Sequence, residues 1–216
     1  MKKNNSDSNI QASAPLSSGE GLGVRNELYP IFLKLHNINV LIVGGGNVGL
    51  EKLSFMLKSS PNANVEVVAK DFHLDIKILA EKHPSIKLTQ AKFKKKMLKK
   101  RHMVIACTDD LKINKRVYDL ARKRYLICNI ADTPDLCDYY LGGIVTKGNV
   151  KIAISTNGKS PTTAKRLREF FEEVIPEDVN KMVENLNEYR KTLKGNFEDK
   201  VNKMNEITEA LKNKDS

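Results

Sequence analysis

The stretch Val40-Leu41-Ile42-Val43-Gly44-Gly45-Gly46-Asn47-Val48-Gly49 decides how the rest of the chain is read. Four aliphatic residues in a row, stopped by glycines, fit a central parallel strand covered on both faces. From Asn47 to Ser59 the apolar residues Val48, Leu53, Met56 and Leu57 recur at roughly helical spacing, and Pro61 and Asn62 close that helix. A strand, a Gly44-x-Gly46-x-x-Gly49 turn and a helix in direct succession are what the pyrophosphate of a dinucleotide requires. Gly44 permits the tight turn, Gly46 lets the backbone approach the phosphates with no Cβ between, and Gly49 lets the helix pack close to the strand. The N–H groups of Asn47 and Val48 and the positive end of the helix dipole then hold the anion.

Outward from this turn the pattern stays regular. Val65 to Val68 reads as the second strand and His73 to Lys82 as a helix. Ile86 to Thr89 and Met103 to Cys107 read as further strands, Asn114 to Arg124 as a helix and Leu126 to Ile130 as the next strand. Strands alternating with helices at this spacing predict an α/β fold of the Rossmann type, with a doubly wound, mostly parallel sheet. In such a sheet an acid about 20 residues past the glycine turn grips the ribose hydroxyls of NAD. Asp71 is the candidate, with Lys70 beside it; Thr108 follows another strand, where strand ends meet the ligand. Thr108-Asp109-Asp110 also reads as a capped turn before a helix.

After Asp132 the period changes. Tyr139 to Thr146 and Val150 to Ser155 flank Lys147-Gly148-Asn149 and read as a β-hairpin. Ser160 then opens a helix as N-cap, with Pro161 at its first position. Ala164, Leu167, Phe170, Phe171 and Val174 form the apolar face, and Pro176 ends it. Two amphipathic helices follow, over about Glu177 to Leu193 and Phe197 to Leu211, parted by Gly195-Asn196. The chain thus divides into a polar, mobile tail over residues 1–24, a nucleotide-binding domain over 25–136, a small hairpin-and-helix region over 137–176 and a helical C-terminal region over 177–216. The tail carries no apolar signal core, so the expected compartment is the cytoplasm.

Composition narrows the classes. The chain has 216 residues, 40% hydrophobic and 29% charged, as an ordinary globular protein does. No apolar run approaches the roughly 20 residues of a membrane span, so no membrane partner is expected. Cys107, Cys128 and Cys137 form no C-x-x-C pair and read as small buried thiols; the four histidines lack zinc-ligand spacing. The net charge is +11, and the run Lys92 to Arg101, with seven basic residues and no acid, carries most of it, while the later helices are rich in lysine and acid alike. With Phe93 the single aromatic of that run there is no stacking platform, so nucleic acid is not the expected partner. A solvated surface or the attraction of a polyanionic small substrate remains.

Five stretches, in this order, carry a resemblance. They are Tyr29 to Leu35, Val43 to Val48, Ala106 to Asp110, Cys128 to Asp132, and Ile154 to Pro161 running into Ala164 to Glu169. Together they resemble the N-terminal module of siroheme synthase and the related precorrin-2 dehydrogenases, over about residues 28 to 176. The resemblance implies oxidation of precorrin-2 to sirohydrochlorin with NAD as hydride acceptor, and in some members insertion of Fe2+ to give siroheme. It implies a homodimer joined through the segment after the Rossmann part. It also implies that Asp132 is the general base and takes part transiently in metal insertion. A carboxylate just past a strand's C-terminal end is well placed for proton transfer, although Asp132-Thr133-Pro134 read alone is a turn signal. Asn129 and the loop Ser155-Thr156-Asn157-Gly158-Lys159-Ser160 are then the expected substrate contacts. Small polar residues before a helix N-terminus make an anion cradle, and Lys165, Arg166 and Arg168 stand where the helix dipole disfavours them unless an anion binds. Asn157 departs from the family, standing where a glycine is common. The non-enzymatic alternative, a Rossmann ligand-sensing module, accounts for the glycine turn but leaves Asp132 and the Ser155–Ser160 loop without a purpose.

Overall fold

The computed structural model describes residues 28–209; the N-terminal tail and Leu211 lie outside them. Its centre is a five-stranded parallel sheet of β1 (Val40–Val43), β2 (Val65–Ala69), β3 (Ile86–Gln90), β4 (Met103–Ala106) and β5 (Ile127–Ile130), in the order β3-β2-β1-β4-β5. Helices α1 (Asn47–Ser59), α2 (Leu74–Lys82) and α3 (Leu111–Arg122) connect the strands. From β1 the chain winds outward to β3, then returns across β1 to β4 and β5, so the winding reverses between β1 and β4.

Both faces of β1 are dry because side chains alternate. Val40 and Ile42 join Leu53, Met56 and Leu57 of α1 and Ile76 of α2 in one apolar cluster. Leu41 and Val43 join Val104, Val117, Ala121, Leu126 and Leu98 in the other. Burial on two faces is why these strands read as continuous apolar runs. The exception is Glu66, 9% exposed on β2, which accepts from Thr89 Oγ1 at 2.6 Å and pairs with Arg101. That pair and the buried Leu98 fasten the basic run to the sheet, while its lysines stay in solvent.

Past the sheet, β6 (Gly143–Lys147) and β7 (Val150–Ile154) form an antiparallel hairpin, followed by α4 (Pro161–Val174), α5 (Val179–Thr192) and α6 (Phe197–Thr208). The hairpin starts later than the apolar pattern predicts. Tyr139 is instead drawn into the first cluster, and its carbonyl accepts from Asn129 Nδ2 at 2.9 Å. Helix α3 begins three residues earlier than expected, because Asp110 caps it by accepting from Lys112 N and Ile113 N at 2.9 and 3.2 Å. Helix α5 grips the hairpin tip, where Asn180 Oδ1 accepts from Asn149 N at 2.7 Å. Ser59 Oγ lies 3.3 Å from Thr146 Oγ1, and Lys58 pairs with Glu172 at 3.1 Å. The C-terminal end of α1 is therefore tied to both the hairpin and α4. Among the described residues no helix is long and apolar enough to cross a membrane.

Candidate active site

The glycine turn is built by close approach. Gly44 has φ +133°, a left-handed value that a side chain resists, and a Cβ there would fall on the Cys107 carbonyl. A Cβ on Gly49 would strike the Gly44 carbonyl, so the first turn of α1 sits directly on the bend. Gly46 differs: a Cβ there would meet no atom within 4 Å. It is exposed, and as N-cap of α1 it provides no side-chain hydrogen bond to the N–H groups of that turn. Helices α2, α3, α4 and α6 all have such a side-chain cap. An open approach beside uncapped amides, Asn47 and Val48 leading them, is the cradle a pyrophosphate fills.

Gly45 was not anticipated as a contributor. A Cβ there would collide with the Asp71 carbonyl, and Gly45 O accepts from His73 N at 2.7 Å. The signal in the sequence is a fourth glycine where the Gly44-x-Gly46-x-x-Gly49 pattern needs three. Lys70 and Asp71 are both exposed just beyond β2, and one Asp71 carboxylate oxygen accepts from Phe72 N at 2.8 Å. Thr108 follows β4, its hydroxyl donating to Asn114 Oδ1 at 2.7 Å, while the buried Asn114 returns a bond to the Thr108 carbonyl at 2.8 Å. The Thr108–Asp110 turn is thus a helix cap that lies just past the end of β4.

Val43, Ala106 and Ile130 are register partners across β1, β4 and β5. Gly44, Thr108 and Asp132 therefore emerge along one sheet edge, with Asp132 about 10 Å, two inter-strand spacings, from the glycine turn. Asp132 is exposed, with φ +57°, and among the described residues its carboxylate makes no hydrogen bond or ion pair. Cys107, whose sulfur faces the Val43 and Gly44 carbonyls, is buried, and burial pushes its thiol up to about 12, which disfavours the thiolate.

Two expectations change. Asn129 is 7% exposed and its side-chain nitrogen is engaged internally by Tyr139 O and Cys137 Sγ, so it offers a substrate little. The basic residues opening α4 have carboxylates beside them, so their charge is partly offset within the helix: Lys165, Arg166 and Arg168 share Glu169, and Arg168 shares Glu172 with Lys58. Ser160 Oγ caps α4 by accepting from Thr163 N at 3.2 Å, Thr156 Oγ1 accepts from Ser160 N at 3.1 Å, and Asn157 and Gly158 are left-handed at φ +50° and +75°. Asparagine tolerates that backbone best after glycine, which accounts for Asn157. Ser155, Asn157, Gly158 and Lys159 are exposed. The Ser155–Ser160 loop lies at the far end of the hairpin and of α4 from their ties to α1 through Thr146 and Glu172.

A parallel sheet reversing at β1 and β4, with an open glycine turn at that reversal, defines a dinucleotide-binding protein. Comparison with known proteins agrees. Residues 31–143 match the family model described as "Putative NAD(P)-binding", and residues 147–173 match the central part of sirohaem biosynthesis proteins. The chain belongs to this NAD(P)-binding family, in the form it shares with siroheme synthases. It is 35% identical over 165 residues to siroheme synthase of Nitrosococcus oceani, covering 76% of this chain and 35% of that one. Against siroheme synthase of Pseudoalteromonas translucida it is 36% identical over 172 residues, covering 80% and 34%. The chain thus spans about a third of the length of these relatives. In fold it matches the solved structure of SirC, a precorrin-2 dehydrogenase, with a TM-score of 0.68 at 24% identity over 83% of this chain and 89% of that one.

Proposed function

We propose that this chain oxidises precorrin-2 to sirohydrochlorin with NAD+, and that the same cleft inserts Fe2+, taken as a substrate, to give siroheme. The observation that carries the reading is Asp132: an exposed, unpartnered carboxylate on a left-handed backbone, on the sheet edge that also bears the glycine turn. Strained backbone at such an edge is typical of sites where position matters more than stability. When bound, the nicotinamide supplies a hydride acceptor. Gly44, Gly46 and Gly49 shape the turn, and the amides of Asn47 and Val48 bind its pyrophosphate. Asp71, with Lys70 beside it, takes the adenosine ribose; a carboxylate there favours NAD, whose ribose hydroxyls it accepts from, over NADP. Thr108 borders the same groove. Asp132 removes the proton as hydride leaves the macrocycle, and when Fe2+ enters it draws protons from the pyrrole nitrogens and meets the metal transiently. Ser155, Thr156, Asn157, Gly158, Lys159 and Ser160 hold the substrate's carboxylates.

Assembly and location follow the same reading. Residues 25–136 bind the cofactor, 137–176 bind substrate and pair with a second copy, and within 177–216 helix α5 braces the hairpin. Leu167, Phe170 and Val174 of α4, exposed by 39%, 53% and 51%, support a homodimer through this region. Three free thiols suit the reducing cytoplasm.

The deciding experiment is anaerobic. Purified protein, precorrin-2 and NAD+ are expected to yield sirohydrochlorin with NADH absorbance rising in step, and absence of turnover refutes the reading. Fe2+ added to sirohydrochlorin tests insertion separately, and light scattering on a sizing column tests the dimer.

A further inference from the structure

Among the described residues no side chain bonds the Asp132 carboxylate, and a base must sit within hydrogen-bond reach of its proton. Its position is therefore inherited from the loop that carries it. That loop, residues 131–137, leaves β5 and doubles back so that residues 137–139 run beside the strand they came from.

The return is clasped at three successive residues. Asp138 straddles Cys128: its backbone N–H donates to Cys128 O at 2.8 Å and its Oδ2 accepts from Cys128 N at 2.9 Å. Its other oxygen accepts from Arg122 Nη1 of α3 at 2.7 Å. Asn129 Nδ2 donates to Tyr139 O at 2.9 Å and to Cys137 Sγ at 3.4 Å. Ile130 N donates to Cys137 Sγ at 3.3 Å. Inside the loop Thr133 N, Leu136 N and Cys137 N bond to the carbonyls of Ile130, Thr133 and Pro134. A left-handed aspartate persists only where its surroundings over-determine it, and this closed ring does so.

We infer that Asp138, Asn129 and Cys137, with Arg122 steadying Asp138, are positioning residues that fix the Asp132 carboxylate over the cofactor edge. They touch neither substrate nor cofactor. The inference rests on the proposed role of Asp132 as base. It also gives Asn129 a task consistent with its burial.

The test uses Asp138→Ala, Asn129→Ala, Arg122→Ala and the conservative Asp138→Asn, which keeps an oxygen facing Cys128 N. For each, kcat for precorrin-2 oxidation, KM for NAD+ and the labelling rate of Cys137 by an aromatic disulfide reagent are measured on the intact protein. A base misplaced by about 1 Å costs on the order of a hundredfold. Asp138→Ala and Asn129→Ala are therefore expected to lose about that much kcat, with KM for NAD+ within twofold of the parent and Cys137 labelled at least tenfold faster. Asp138→Asn is expected to recover most of the rate. Arg122→Ala, at a half-exposed site that spares the fold, is expected to give a smaller loss in the same direction. Unchanged kcat in the alanine variants, or labelling no faster than in the parent, overturns the inference. Parent protein that never oxidises precorrin-2 refutes the proposed function instead, and Cys137 labelling then reads the clasp by itself.

Discussion

Two glycines three positions apart in the chain carry opposite risks. Gly46 has φ −87° and ψ −161°, which alanine adopts freely, and open space where its Cβ would go. Gly46→Ala is therefore expected to melt with the parent but to bind NAD at least tenfold more weakly, as titration calorimetry would read. Gly49→Ala drives a methyl into the Gly44 carbonyl, and overpacking of this kind costs about 1–3 kcal/mol; its melting temperature should fall. Equal behaviour of the two variants would contradict a phosphate seat at Gly46. At Asp132 the choice of substitution separates backbone from charge. Asparagine accepts the left-handed backbone whereas alanine resists it by about 1 kcal/mol. Asp132→Asn should match the parent in stability and lose dehydrogenation, and Asp132→Ala should lose both; an active Asp132→Asn enzyme would remove Asp132 from the chemistry.

At the scale of elements, capping and one ion pair carry the testable energetics. Asp110 satisfies two N–H groups of α3, so Asp110→Ala should lower unfolding free energy in urea by about 1 kcal/mol. Burial would raise the carboxyl of Glu66, but hydrogen bonds from Thr89 and Arg101 and the charges of Arg101 and Lys87 outweigh it and hold the group below its ordinary 4.5. A depressed folded-state value contributes stability at pH above 4.5 that disappears as pH falls through the folded value. Glu66→Gln should thus be less stable at neutral pH and show a flatter acid limb, and an unchanged acid limb would count against the pair. What could be read in advance follows the same line. Strands β1 and β4 announced themselves because burial on both faces leaves only apolar residues there, and β2 did so around the single exception of Glu66. The start of α3 was legible only through its cap at Thr108-Asp109-Asp110, because Leu111 is 71% exposed and Lys112 is polar, which delays the apolar face to Ile113 and Val117. Asp132 could be named from its stretch, yet the clasp beneath it could not. Arg122, Cys128 and Asp138 meet only once strand, helix and returning loop are folded together, and no local pattern of residue types encodes that.

For the whole molecule the excess of positive charge becomes a statement about encounter. A net +11 spread over lysine-rich faces raises the local concentration of a polycarboxylate and loses that pull as salt screens it. Second-order turnover, kcat/KM for the tetrapyrrole, is expected to drop roughly tenfold between dilute buffer and about 0.5 M salt, whereas kcat at saturation should hardly move. A salt-independent kcat/KM would mean that the charge serves only solvation. The seam at Gly45 has a different bearing. Its backbone is pressed under the Asp71 carbonyl and bonded to His73, so the loops after β1 and β2 form one rigid cup before any guest arrives. Capture at that end sacrifices little freedom of motion. A side chain at residue 45 would part the cup into two independent flaps, and the nucleotide would have to assemble its own seat.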